Sequence, residues 1–236
     1  MNKNGTLYGI GVGPGDPELI TLKAKRVLES VGHVFTPVAD KEKESVAYSI
    51  ARTFISPHAA VEKLVFPMIT DRDACEKAWE ENAAQIAAVV TKDTDAAFIT
   101  LGDPMTYSTY CYLLKKMHTM YPDLQLVTIP GVPSYAAVAA SAGITLAEND
   151  DVLALIPGTI SQERIEKILS LVDTAVFLKH HRKTGDLLNT LNRMGLADKT
   201  IYVSRCGFKD QVVTSHPTRE LIEKADYLSL LVVKKS

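Results

Sequence analysis

Two rhythms of apolar positions run through this chain. Short apolar runs of strand length fall at Thr6 to Val12, Val34 to Pro37, Ala96 to Leu101 and Leu124 to Ile129. Between them lie stretches with a helical period. The first of these covers 17 to 31 and repeats through Leu19, Leu22, Val27, Leu28 and Val31. Asp16 is its expected N-cap, with Pro17 at the first helical position. Ser45 to Phe54, Asp73 to Val90 and Thr106 to Met120 predict further helices. Strands alternating with helices of this length imply a mostly parallel sheet covered on both faces.

The pattern breaks at Pro130, Gly131 and Pro133, which continue neither a strand nor a helix easily. The expected domain boundary lies there, giving an N-terminal α/β domain over 1–129 and a C-terminal α/β domain over 130–236. The second half opens with an Ala-rich helical stretch, Tyr135 to Ala142. Strands are predicted near Val152 to Ile156, Ala175 to Leu178, Thr200 to Ser204 and Leu228 to Val233, with helices over Gln162 to Leu171 and Thr184 to Met194. The second sheet has room to be mixed. No internal repeat or low-complexity tract is visible.

Composition narrows the function classes. Apolar residues make up 46% of the 236 residues and charged residues 23%, as in ordinary globular chains. No stretch approaches the roughly 18 apolar residues of a membrane span, and no signal-like segment precedes the first strand. The three cysteines, Cys75, Cys111 and Cys206, are far apart and odd in number, which argues against a disulfide framework or a structural zinc. A cytoplasmic location is the expectation. The formal net charge of −2 is not that of a nucleic-acid-binding domain.

Candidate chemistry concentrates in three Gly/Pro-rich segments. The first, Gly9-Ile10-Gly11-Val12-Gly13-Pro14-Gly15-Asp16-Pro17, closes a strand and opens a helix, where backbone can approach a ligand closely. It is not a dinucleotide fingerprint. GxGxxG counted from Gly9 needs glycine where Pro14 stands, and counted from Gly11 needs it at Asp16. A purely structural turn remains open. The second segment, Leu101-Gly102-Asp103-Pro104, follows a buried strand, and parallel sheets bind ligands outside the carboxyl ends of their strands. Asp103 could accept from ribose hydroxyls or cap the next helix. The third is Pro130-Gly131-Val132-Pro133-Ser134-Tyr135.

Together these segments resemble the tetrapyrrole (corrin/porphyrin) methylases. The run from Gly9 to Lys25 is similar to that family's opening motif, Leu101 to Thr109 to its second, and Ile129 to Ser134 to its third. The Gly-Asp-Pro-Met and Asp-Pro-Glu-Leu forms most resemble the branch that methylates C20 of precorrin-2 or cobalt-factor II. The resemblance covers nearly the whole chain. It implies two α/β domains with a ligand cleft between them, S-adenosyl-L-methionine as methyl donor, S-adenosyl-L-homocysteine as product, and a homodimer. Carried over residue by residue, it assigns Pro14, Leu101, Gly102, Asp103, Thr106, Pro133, Ser134, Leu178 and Cys206 to the donor.

A sulfonium donor carries an already activated methyl group, so the expected work of the protein is alignment. No protein-bound metal is expected. Proton loss from the acceptor carbon suggests a base, for which Tyr107, His33 and His180 are the candidates. The acceptor ring is fringed with carboxylates, so basic partners are expected after second-domain strands: Lys179 and Arg182, and Arg205 with Lys209 in the next loop. Two alternatives stay open, a related corrin-pathway methylase acting at another ring position and a non-catalytic nucleotide-binding module.

Overall fold

The computed structural model describes residues 5–69, 71–91, 94–179, 184–215, 217–224 and 227–235. The chain divides into two compact units, Met1–Ser134 and Tyr135–Ser236. Residues 130–134, expected with the second domain, therefore go with the first. The contacts of Gly131, given below, are the reason.

The first unit holds β1 (Thr6–Gly11), β2 (His33–Val38), β3 (Ala60–Val65), β4 (Ala96–Thr100) and β5 (Gln125–Ile129). Their order is β3-β2-β4-β1-β5 and every pair is parallel. The crossovers are α1 (Leu22–Ser30), α2 (Val46–Ala51), α3 (Arg72–Val89) and α4 (Tyr110–Met120). β4 is buried at every position, which its uninterrupted Ala-Ala-Phe-Ile run anticipates. Leu7, Phe35, Phe98, Ile86, Leu113 and Met117 close the core between sheet and helices. Each fully buried side chain of this size contributes about 1.5–3 kcal/mol.

The second unit holds β6 (Leu153–Pro157), β7 (Thr174–Leu178), β8 (Thr200–Ser204), β9 (Val212–Ser215) and β10 (Ser229–Lys234), in the order β6-β7-β10-β8-β9. α5 (Ser134–Ala142) leads into it, and α6 (Gln162–Leu171), α7 (Thr184–Arg193) and α8 (Arg219–Glu223) follow. The sheet is mixed. β6 and β7 are parallel, whereas β10 runs antiparallel to both β7 and β8. Ile156, Leu169, Phe177, Leu191 and Leu231 form its core.

Two helix expectations are corrected. The stretch 17–31 is not one helix. Asp16 Oδ1 accepts the Glu18 N–H at 2.9 Å over a short 3₁₀ turn, Pro17–Leu19. Thr21 then supplies a second cap, its Oγ1 accepting from Ala24 N at 3.2 Å. A hydroxyl that satisfies an orphan donor restarts the helix there and leaves Leu22 facing solvent. The helix expected from Thr106 begins only at Tyr110, because residues 101–109 are held as a loop. β3, β9 and α8 were not expected. β3 buries only Leu64 fully, and β9 buries no residue fully, so neither carries a strong apolar signal.

Candidate active site

All five strands of the first sheet end at one edge. β1 lies between β4 and β5, in registers that set Gly11 opposite Thr100 and Ile10 opposite Ile129. Three loops far apart in sequence thus leave neighbouring strands at the same height. Val12 N–H donates to Thr100 O at 3.0 Å, Gly102 N–H to Gly13 O at 2.7 Å, and Gly13 N–H to Gly102 O at 3.3 Å. The first two glycine-rich loops are therefore stitched main chain to main chain.

The glycines at this crossing have different tasks. A Cβ on Gly9 would run into the ring of Tyr110, which is fully buried and bonds its hydroxyl to Thr128 Oγ1 at 2.9 Å. Burial raises the Tyr110 phenol pKa, opposed by the Thr128 bond and helped by nearby Cys111. A Cβ on Gly11 would stand 2.5 Å from Gly102 O and 2.7 Å from Gly131 N. One on Gly131 would collide with Gly102 O and come within 2.7 Å of Gly11 C. These three glycines are there for close packing of the protein against itself. Gly13 and Gly102 differ, with φ of +81° and +67°. Beside Gly102 a Cβ would meet nothing within 4 Å, so the crest of the crossing faces open space.

Asp103 joins the second loop to the third. Oδ1 accepts from Met105 N at 2.9 Å and Oδ2 from Gly131 N at 3.2 Å. It caps no helix, contrary to that expectation. Each carboxylate oxygen keeps further acceptor capacity. Cys111 Sγ donates to Pro104 O at 3.3 Å, and Thr100 Oγ1 lies 2.8 Å from Ser108 Oγ. Tyr107 sits among these contacts at φ +51°, exposed. Around the same crossing Pro14 is buried, while Leu101, Thr106, Pro133 and Ser134 are half-buried.

His33 stands elsewhere. It is the first residue of β2, at the amino-terminal edge of the sheet, opposite Ala96 of β4. Its Nε2 lies 3.1 Å from Glu62 Oε2 and its ring stacks on Phe35 at 4.4 Å. This placement removes it from the candidate bases. His180, Arg182 and the rest of 180–183 lie outside the described residues.

Within the second unit, β7 and β8 point the same way on either side of β10, and Leu178 and Val203 both pair with Leu230. Lys179 and Arg205 follow these strands on one edge, both left-handed, at φ +56° and +52°. Left-handed backbone costs a non-glycine residue about 1–2 kcal/mol and persists where the surroundings impose it. Among the described residues, three of the four non-glycine positions with positive φ are thus Tyr107, Lys179 and Arg205, each singled out from the sequence. Among the described residues this signal was invisible in composition or spacing.

Arg205 is held by its own loop. Nε lies 2.5 Å from Asp210 Oδ2, and the guanidinium carbon is 5.0 Å from the Phe208 ring centre. That pairing lowers the Asp210 carboxyl pKa. Gly207 N–H donates to Gln211 Oε1 at 2.7 Å. Lys209 is exposed. Cys206 is buried, with Sγ 3.7 Å from Ser141 Oγ, and burial pushes its thiol pKa up against the effect of that bond. The side chain is committed to the unit's interior, which leaves main chain for any ligand.

A parallel α/β unit whose strand-end loops are knitted by backbone, with a glycine crest left open, belongs to the class of enzymes that hold a small ligand outside the carboxyl ends of their strands. Residues 6–222 match the family model of the Tetrapyrrole (Corrin/Porphyrin) Methylases. The chain is 36% identical to the "Probable cobalt-precorrin-2 C(20)-methyltransferase" of Methanocaldococcus jannaschii, over 97% of this chain and 96% of that one. It is 35% identical to the cobalt-precorrin-2 C(20)-methyltransferase of Salmonella typhimurium, over 85% and 84%. A uroporphyrin-III C-methyltransferase from Thermus thermophilus, solved with S-adenosyl homocysteine, superposes with a TM-score of 0.67 at 20% identity, over 98% of this chain and 92% of that one. The chain belongs to the tetrapyrrole (corrin/porphyrin) methylases. It is a methyltransferase dependent on S-adenosylmethionine. No helix among the described residues is long and apolar enough to cross a membrane.

Proposed function

We propose that this chain methylates C20 of precorrin-2 or of its cobalt-bearing counterpart, cobalt-factor II, in cobalamin biosynthesis. The observation that carries the reading is the three-loop crossing, where a Cβ on Gly102 would meet open space while one on Gly9, Gly11 or Gly131 would collide with the protein. The relatives named for cobalt-precorrin-2 favour the cobalt-bearing substrate.

The donor fits the crossing. An open position beside a left-handed glycine lets a ligand lie against main chain, where a side chain would hold it off. Pro14, Leu101, Gly102, Asp103, Thr106, Pro133 and Ser134 would hold it from the first unit. The resemblance also assigns Leu178 and Cys206 to the donor. When bound, S-adenosylmethionine supplies a methyl group activated by its sulfonium leaving group.

The chain's own residues then orient and exclude. Rigid loops would hold donor and acceptor in a fixed relation, which removes much of the entropic barrier. Lys179, Arg182 and Arg205 take the acid side chains of the ring. Tyr107, as its phenolate, would take the proton that the ring carbon gives up on gaining the methyl. The enzyme works in the cytoplasm as a homodimer.

Incubation with methyl-labelled S-adenosylmethionine and each tetrapyrrole in turn tests the reading. Label transfer with NMR placing the new methyl at C20 is the expected result. A methyl at another ring position, or no transfer to either ring, overturns it.

A further inference from the structure

The last residue of β4 departs from the strand that carries it. Ala96, Ala97, Phe98 and Ile99 are apolar and fully buried, yet Thr100 places a hydroxyl in the same interior. That hydroxyl lies 2.8 Å from Ser108 Oγ, also buried. Two buried hydroxyls are costlier than apolar side chains of the same size unless they bond each other. Valine at 100 and alanine at 108 would fill this space without that requirement, so the pair calls for a different explanation.

Its place in the loop supplies one. Ser108 Oγ also accepts the Tyr110 N–H at 3.1 Å, while Thr109, the formal N-cap of α4, makes no side-chain cap bond. Ser108 therefore ties the end of β4 to the start of α4. On the other side, Asp103 Oδ1 pins Met105 and Cys111 Sγ pins Pro104. Tyr107 lies between these anchors, exposed and left-handed at φ +51°. An unanchored tyrosine would relax from that backbone, which costs about 1–2 kcal/mol.

We propose that Thr100 and Ser108 are positioning residues that hold Tyr107 in its left-handed backbone so that its phenol is presented at the strand edge for methyl transfer. Neither touches the reacting atoms. The inference rests on the function proposed above in taking Tyr107 as the proton acceptor.

The test pairs Thr100→Val, which keeps the shape and loses the hydroxyl, with Thr100→Ser, which keeps the hydroxyl. Steady-state methyl transfer is read with S-adenosylhomocysteine affinity measured alongside. Thr100→Val is expected to lower kcat by about 10- to 100-fold, as a misplaced catalytic group does. KM for the ring and Kd for S-adenosylhomocysteine should stay within about twofold of the parent, and Thr100→Ser should recover most of the rate. In the double variant with Tyr107→Phe the losses should fail to multiply, since both remove one contribution. Multiplying losses, or a Thr100→Val enzyme as fast as the parent, overturn the proposal.

A second readout does not need turnover. With 3-fluorotyrosine placed at position 107 alone, its fluorine resonance should shift or broaden in Thr100→Val and in Ser108→Ala, and keep the parent's position in Thr100→Ser. An unmoved resonance in folded Thr100→Val overturns the clasp. A parent enzyme that methylates neither ring while this resonance still responds overturns the proposed function and leaves the clasp standing. Should Thr100→Val fail to fold, Ser108→Ala carries both readouts.

Discussion

Substituting Gly102 with alanine separates the two tasks that glycines perform at the crossing. The residue has φ +67°, and a Cβ there meets no atom within 4 Å. The cost to the fold is therefore backbone strain alone, about 1–2 kcal/mol for left-handed alanine. For a chain of this size that lowers Tm by roughly 2–8 °C. The new methyl occupies the space assigned to the donor. Overpacking of a fitted contact costs about 1–3 kcal/mol, which weakens binding by roughly 5- to 150-fold. Gly11→Ala is the contrast, because its Cβ would stand 2.5 Å from Gly102 O and 2.7 Å from Gly131 N. Those obstacles are backbone and cannot rotate away, so this variant should lose stability first and binding only as a consequence. Thermal denaturation and titration calorimetry with S-adenosylhomocysteine, run on both proteins, read the two effects. A folded Gly102→Ala protein that binds S-adenosylhomocysteine with the parent's affinity would refute the placement of the donor against that crest.

Further outcomes follow from the same contacts. Asp103→Ala removes the acceptor of Met105 N–H and Gly131 N–H. It should weaken S-adenosylhomocysteine binding and cost about 1–3 kcal/mol of stability, measured by calorimetry and urea unfolding. Unchanged affinity in a folded variant would exclude Asp103 from the donor site. Lys179→Gln combined with Arg182→Gln should raise KM for the ring and leave the donor's Kd in place; an unaltered KM would put those residues outside the substrate site. Asp210, whose carboxyl pKa is lowered by Arg205, contributes stability that is present above its ordinary pKa of 3.8 and is lost as pH falls through the lower folded value. NMR titration of Arg205→Gln should return the Asp210 pKa upward, and an unmoved value would show that the pairing is not its cause.

How much of this was legible beforehand depended on where the signal sits. β1 and β4 were readable because buried parallel strands write apolar runs into the chain, and the edge strand β5 because it still carries Leu126, Val127 and Ile129. The edge strands β3 and β9 were not, since most of their side chains face water and only main-chain pairing defines them. The three loops could be singled out as candidates from Gly and Pro alone. Their convergence could not, because it depends on β1 inserting between β4 and β5, a choice of strand order that local composition does not encode. The roles of individual glycines were likewise hidden. Gly9 and Gly102 look alike in sequence, yet one accommodates the Tyr110 ring and the other faces open space. Asp103 shows the same limit. A carboxylate between Gly and Pro suggests a cap or a ligand contact, whereas its partner at Gly131 lies 28 residues onward. His33 could be set aside only once its strand had a direction and an opposite edge.

The position of β1 between β4 and β5 also bears on synthesis of the chain. Leu7 waits for Ala96 and Thr6 for Gln125 before either flank is covered. A ribosome partway through the message has already made the opening glycines but nothing for them to rest against. The crossing of the three loops therefore forms late, once the fifth strand and the loop after it have emerged. Any product cut short before then would display the family's most recognisable motif without the crossing that fixes it.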